Sequence, residues 1–308
     1  MSDIRFNYII TIHNKQDLIA EVLYHVVECM SESSEVFAVL DGCTDGSEER
    51  VNDIAAQYPN HRIHKIFEND VHELKSINAG ILAATHQGEC YNIILQDDVL
   101  LTDHLIESRL TALYSTMPNL GIVSLRHGAN ISRALMKNAA TIPTYQYIES
   151  EVGHRPNLFK MLSIGEFIYK EIAIKSPICI PSAVVRKVGM PDERYAPWDD
   201  IAYCYAVSCA GFDNGVFAIP FKSDIEWGTT RKKIQHVTIS SVQQKNLSLF
   251  KMQYNHGILP IKKIYNNKRY KIFSSDIRSN ASVLDYLRDL TTLGIDSVKY
   301  LLKSWVIR

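Results

Sequence analysis

Apolar residues fall in short runs along the first half of the chain, and the runs alternate between two spacings. Residues 6–12 are almost continuously apolar and short enough for a buried strand. Over residues 17–30, Leu18, Val22 and Val26 recur at helical spacing, which predicts a helix. The alternation continues with a strand at 36–40, a helix capped by Ser47 and stopped by Pro59, and a short strand at 63–67. A helix at 74–85 ending near Gly88, a strand at 91–95, a helix at 103–117 stopped by Pro118 and a strand at 121–125 complete it. Repeated strand–helix units predict a mainly parallel sheet covered by helices. Ligands of such sheets bind beyond the carboxyl ends of the strands.

The pattern weakens after that. Residues 126–176, with Arg126-His127-Gly128-Ala129-Asn130 and the aromatics Tyr145 and Tyr147, read as an insertion or loop. An apolar strand resumes at 178–180, followed by short helices at 182–188 and 201–209 and a late strand at 216–219. From about Ile239 the segments are helical and basic. We therefore expect an α/β domain over 1–236 and a basic helical C-terminal extension over 237–308. Near the end, Leu284, Leu287, Leu290, Leu293, Val298 and Leu301 keep near-helical spacing, with Gly294 able to split the run in two.

With 308 residues, 46% of them hydrophobic, the chain can bury a sizeable core, and 22% charged residues without Pro or Gly runs argue against disorder. Six scattered cysteines form no CxxC pair, which predicts reduced, mostly buried thiols in a cytoplasmic protein. The first apolar stretch, 8–12, is too short for a signal sequence, and no uncharged run of 18 apolar residues predicts a membrane span. A net charge of −1 hides an asymmetry: residues 222–308 carry 16 Lys and Arg against 6 Asp and Glu, while the rest carries 17 against 28. The basic tail suits an anionic membrane face, a homodimer contact, or packing on the first domain. Nothing in the chain points to nucleic acid.

Three acidic pieces lie at or after strand ends. In Asp41-Gly42-Cys43-Thr44-Asp45-Gly46-Ser47, two carboxylates flank a tight turn whose glycines permit close approach by a base or ribose. The plain alternative is a βα turn in which Asp45 or Ser47 caps the helix. In Gln96-Asp97-Asp98, adjacent carboxylates repel unless a cation or donor lies between them. Mg2+ and Mn2+ are often held by one or two carboxylates plus substrate phosphates. In Trp198-Asp199-Asp200, a carboxylate beside an apolar wall can serve as a general base and an indole can pack on a sugar, though an N-cap pair is the plainer reading. Lys75 and Asn78 share one face near a helix start and can reach a nucleotide, or be part of a solvated face.

In this order the motifs resemble the inverting family 2 glycosyltransferases of the GT-A fold. Tyr8-Ile9-Ile10-Thr11-Ile12-His13-Asn14 resembles their opening strand, with His13 at a usually Tyr-like position. The Asp41–Ser47 turn resembles their D-D-G-S-T-D-G-T motif, which contacts the nucleotide base. Lys75 to Gly80 resembles a nucleotide-contacting stretch, Gln96 to Asp98 the D-x-D metal site, and 191–209 the segment with the acceptor-side base. The first D-x-D aspartate is replaced by Gln96, and Ala202 stands where a further aspartate often follows.

The resemblance implies a Rossmann-like GT-A domain that moves a sugar from a nucleotide-sugar, UDP-linked by family habit, to a hydroxyl of a glycan or lipid-linked acceptor. It implies Asp200, with Asp199, as the base, and Asp98 as the ligand of Mn2+ or Mg2+. Thr11, His13, Asn14, Asp41, Asp45, Lys75, Asn78, Asp97 and Trp198 would bind the donor. The protein would act in the cytoplasm, at the inner membrane face if the tail binds lipid. Two rivals remain: a nucleotidyltransferase, disfavoured because Thr11 to Lys15 lacks the usual glycines, and a non-catalytic relative, which Gln96 keeps open.

Overall fold

The computed structural model of the protein describes residues 5–85, 88–117, 119–125, 164–169, 173, 175, 177–196, 199–223 and 270–272. The chain runs β1 (Arg5–Ile12), α1 (Ile19–Cys29), β2 (Glu35–Asp41), α2 (Ser47–Gln57), β3 (Arg62–Glu68), α3 (Glu73–Thr85) and β4 (Cys90–Gln96). It continues through β5 (Leu100–Leu101), α4 (Ile106–Thr116), β6 (Leu120–Ser124), β7 (Glu166–Tyr169), β8 (Ile178–Pro181) and α5 (Ser182–Val188). A 3-10 turn at Glu193–Tyr195 precedes α6 (Asp199–Cys209), β9 (Asp213–Phe217), β10 (Phe221–Lys222) and β11 (Tyr270–Lys271).

Nine strands form one sheet in the order β11-β7-β9-β6-β8-β4-β1-β2-β3. β3, β2, β1 and β4 are mutually parallel, β8 runs against β4 and β6, and β9 returns parallel to β6. β7 and β11 are antiparallel additions at the far edge. This is the mixed, mainly parallel α/β sheet flanked by helices that the alternation predicts.

Side chains alternate across the sheet and sort the core into two layers. Tyr8, Ile10 and Ile12 of β1 pack with α1, α2 and α4, whereas Ile9 packs with Val39, Ile94 and the apolar faces of α3, α5 and α6. By the same alternation Thr11, Asp41 and Gln96 belong to the α3 face. Gly80 lets α3 lie close on that face: a Cβ there would sit 2.3 Å from Ile9 Cγ2 and 3.1 Å from Val39 Cγ2.

Some boundaries differ from expectation, each for a local reason. α6 starts at Asp199, so the acidic pair forms its first turn instead of preceding it, as suits carboxylates at a helix N-terminus. The late strand is Asp213–Phe217, shifted from 216–219 by its pairing with β6. Ser47 is the first residue of α2 and the cap position is Gly46. Asp103 lies outside α4: one carboxylate oxygen accepts from Leu105 N–H at 3.1 Å and the other pairs with fully buried Arg109 at 2.8 Å. β7 arises within the segment read as irregular. Tyr270–Lys271, inside the expected helical extension, is a strand on β7; the rest of 237–308, with the helices read there, lies outside the described residues. All six cysteines are free, and Cys29, Cys90, Cys179 and Cys204 are buried.

Candidate active site

The chain builds β1, β2 and β3 in one direction and then crosses back to place β4 on the other side of β1. Such a reversal opens a crevice beyond the carboxyl ends of the two central strands. Thr11 of β1 lies opposite Gln96 of β4, and Ile12 opposite Leu40 of β2, so the segments leaving all three strands emerge together.

On the β1–β2 side, His13 Nδ1–H donates to the Asp41 carbonyl at 2.6 Å, and Nε2 faces Asn14 Nδ2 at 3.5 Å. Asp41 is buried, and its Oδ1 accepts from Val71 N–H at 2.7 Å. Ligand atoms of His13, Asp41 and Asp70 lie within 4.8 Å of one another. The two loops touch because residue 42 is glycine: it has φ +58°, and a Cβ there would lie 2.7 Å from Asp70 Cβ. Asn14, Asp70 and His72 hold positive φ, an uncommon conformation that clusters at ligand sites. Asn14 Oδ1 accepts from Thr44 N–H at 2.8 Å and fixes the turn from below. Asp45 is fully used by the turn: Oδ1 accepts from Ser47 N–H at 3.0 Å and Ser47 Oγ–H at 2.5 Å, and Oδ2 from Gln16 N–H at 3.1 Å. Partial burial alone would raise its pKa, but these bonds prevail and hold it below the usual carboxylate value. These bonds tie Asp45 to the turn.

Beyond β4, Asp97 Oδ2 accepts from His13 N–H at 3.1 Å, and its Oδ1 lies 3.4 Å from Lys15 Nζ. Burial pushes Asp97 up to about 6 against the opposing pull of Lys15. Asp98, next in the chain, is buried at 4% exposure. A carboxylate such as that of Asp98 is the ligand type of a hard cation that takes its other oxygens from substrate phosphates. Oxygen donors of this kind are compatible with Mn2+ or Mg2+.

The third acidic piece is joined to the end of β4 through the first turn of α3. Gln96 Nε2–H donates to Glu73 Oε1 at 2.5 Å, and Glu73 Oε2 lies 3.5 Å from Lys175 Nζ. The same ammonium donates to Asp199 Oδ2 at 2.8 Å, and Asp199 is buried. Desolvation alone would lower the Lys175 pKa; Glu73, Asp200 and Asp199 outweigh it and keep the group charged. Asp200 retains some surface, but burial of its carboxyl pushes it up to about 7, with Lys175 opposing and Asp199 and Glu73 adding to the rise. Asp199, Asp200, Lys175, Tyr203 and Cys204 line a cavity of about 20 Å³, room for about one water.

Lys75 and Asn78 face this side too. Asn78 is buried and donates to the Pro191 carbonyl at 2.9 Å and to Glu193 at 3.3 Å, while exposed Lys75 reaches Glu193 at 4.0 Å. The structure brings His13, Asn14, Asp41 and Asp97 together, with buried Thr11 on the strand beneath; the contacts of Lys75 and Asn78 run to the 191–193 segment. Trp198 lies outside the described residues. Sequence reasoning missed Lys15, Asp70, Glu73 and Lys175. Lys15 had a signal, a cation immediately after the opening strand motif; the other three are joined to the site only by long-range contacts.

Residues 8–186 match the family described as Glycosyl transferase family 2, a stretch longer than half of the 308-residue chain. The chain belongs to this family. No relative is found among the curated proteins. Among solved structures, this family 2 member is similar to the mannosyltransferase PcManGT of Pyrobaculum calidifontis, in complex with GDP-Man and Mn2+, at 16% identity and TM-score 0.47. That alignment covers 70% of this chain and 57% of the mannosyltransferase. It is also similar to S. aureus TarS at 13% identity and TM-score 0.48, over 72% of this chain and 37% of TarS. TarS 1–349 in complex with UDP-GlcNAc aligns at 11% identity and TM-score 0.46, over 81% of this chain and 66% of that one.

Proposed function

We propose that this family 2 member is an inverting glycosyltransferase that moves a sugar from a nucleotide-sugar to a hydroxyl of a glycan or lipid-linked acceptor. UDP is the nucleotide suggested by family resemblance. The observation that carries the reading is the arrangement of the crevice: His13, Asp41 and Asp97 gather at the ends of β1, β2 and β4, with Asp199–Asp200 across from them on the first turn of α6.

His13, Asn14 and Asp41 bind the base and ribose, on a turn held by Asp45. Asp98 would hold Mn2+ or Mg2+, which when bound would supply positive charge to stabilise the leaving diphosphate. Asp200 takes the proton of the acceptor hydroxyl. The acceptor oxygen bonds to the anomeric carbon from the face opposite the nucleoside diphosphate, whose bond to that carbon breaks, so one displacement inverts the centre. The apolar wall of Ile77, Ile178 and Ile180 beside Asp200 limits competing water. Among the described residues no helix is long and apolar enough to cross a membrane. The basic region 237–308 is our candidate for peripheral contact with an anionic inner membrane face or for a homodimer contact.

Calorimetric titration of UDP-, GDP- and dTDP-sugars, with and without Mn2+, followed by transfer and hydrolysis assays, tests the reading. Asp200→Asn is expected to bind the donor within a few-fold of wild type and to lose transfer by about 100- to 10,000-fold, the usual contribution of a general base. Wild-type turnover in that variant, or no nucleotide-sugar binding in the wild type, would overturn it.

A further inference from the structure

We propose that Lys175 is the positioning residue of the acceptor side: its ammonium commits Asp199 to a permanent ion pair and so leaves Asp200 to take the acceptor proton. This rests on the glycosyl-transfer reading above, and concerns which of two adjacent carboxylates is free to work.

The two aspartates are neighbours on the first turn of α6, and chemistry alone does not separate them. Lys175 does. Its side chain reaches Asp199 Oδ2 at 2.8 Å, while its main chain hydrogen-bonds Asp200. Its ammonium also faces Glu73 Oε2 at 3.5 Å, and the other oxygen of Glu73 accepts from Gln96 at the end of β4. One chain of contacts, Gln96–Glu73–Lys175–Asp199, thus joins the strand end that precedes Asp97–Asp98 to the helix turn that carries the base.

Charge counting gives the asymmetry its direction. Among the described residues, Glu73 from α3, Asp199 and Asp200 from α6 and Lys175 from the segment before β8 are the charged groups that meet there: three carboxylates and one ammonium. Tyr203 and Cys204 also line the cavity, but burial raises both, Cys204 to about 12, and they stay neutral. The ammonium is engaged by Glu73 and Asp199. The remaining carboxyl, Asp200, is the one whose ionisation adds an uncompensated charge, so it is the one that holds a proton up to neutral pH and can exchange it with a substrate. Gln96, which supplies a donor where a fourth carboxylate would otherwise meet Glu73, belongs to the same balance.

The test compares Lys175→Met and Lys175→Arg with the wild type in transfer rate against pH and in carboxyl-carbon NMR titration of Asp199 and Asp200. Lys175→Met keeps the main-chain contact and removes only the charge. The acid limb of kcat and the Asp200 titration are expected to move up by about 1–3 pH units, the usual effect of losing an opposite charge at this range. Donor KM should stay unchanged, and Lys175→Arg should restore the wild-type limb. An unchanged pH profile in Lys175→Met, even with a loss of thermal stability, overturns the proposal, and so does a wild-type titration in which Asp199 is the higher of the pair. If Lys175→Met fails to fold, Glu73→Gln reads the same balance from the other side: one negative neighbour fewer lowers the Asp200 titration, and no movement refutes it. A wild type that transfers no sugar overturns the functional reading alone, because the NMR titrations report the Lys175–Asp199–Asp200 balance without turnover.

Discussion

Replacing Asp200 by Asn should stabilise the fold at alkaline pH while it removes activity. In the folded protein the Asp200 carboxyl is pushed from 3.8 to about 7, chiefly by burial. Between those two values the folded state holds a proton that the unfolded chain releases. The stability that Asp200 contributes is therefore fully present below the lower value, falls as pH rises through the window, and is gone above the upper one. A rise of about 3 in pKa corresponds to ~4 kcal/mol at ~1.4 kcal/mol per unit. Asn resembles the neutral acid and does not titrate. From pH 5 to pH 8 the stability of Asp200→Asn relative to wild type should therefore grow by about 2–3 kcal/mol. Urea unfolding of both proteins at several pH values in that range measures it. Taking the difference between pH values cancels the fixed effect of an amide in place of a carboxyl. A pH-independent gap, or a wild type that gains on the variant as pH rises, would show that Asp200 ionises in the fold as it does in the unfolded chain. The reasoning for its role as proton acceptor near neutral pH would fall with that result.

Other perturbations probe the scaffold that holds the site. Gly80→Ala puts a Cβ 2.3 Å from Ile9 Cγ2 and should cost about 1–3 kcal/mol in urea unfolding, with wild-type stability as the contrary result. Asp103→Ala removes the carboxylate 2.8 Å from the fully buried Arg109 and should cost about 3–5 kcal/mol, whereas Asp103→Leu with Arg109→Met should cost much less; equal losses would deny the pair its electrostatic character. Gln96→Glu replaces the amide 2.5 Å from Glu73 with a second carboxylate, so its melting temperature should fall at pH 8 and recover toward pH 5 as the two share a proton; a pH-independent melting temperature would contradict that contact.

The sheet was legible because its inner strands are apolar runs ended by breakers, and the acidic pieces lie where the alternation put them, at the ends of β2 and β4. α6 was placed two residues late because the apolar signal begins at Ile201, whereas the helix dipole favours starting on the two aspartates. β7 and β11, four and two residues long, have no run that stands out; their pairing with β9 and with each other is decided by the sheet edge they meet. Within the site, Asp45 was legible as a turn residue from its own neighbours, because its partners Gln16 and Ser47 belong to the same βα unit or the adjoining one. Glu73 and Lys175 were not, since nothing near residue 73 indicates a lysine about a hundred positions later. Gln96 shows what that costs. Seen as one position in a motif, it is a missing metal ligand and an argument for a lost activity. Seen with its contacts, it is a hydrogen-bond donor to a carboxylate that already shares an ammonium with Asp199. An aspartate there would bring a further negative charge to a group that, among the described residues, already has more carboxylates than cations. The departure from the motif and the lysine on the acceptor side are two parts of one charge balance, and only the fold puts them side by side.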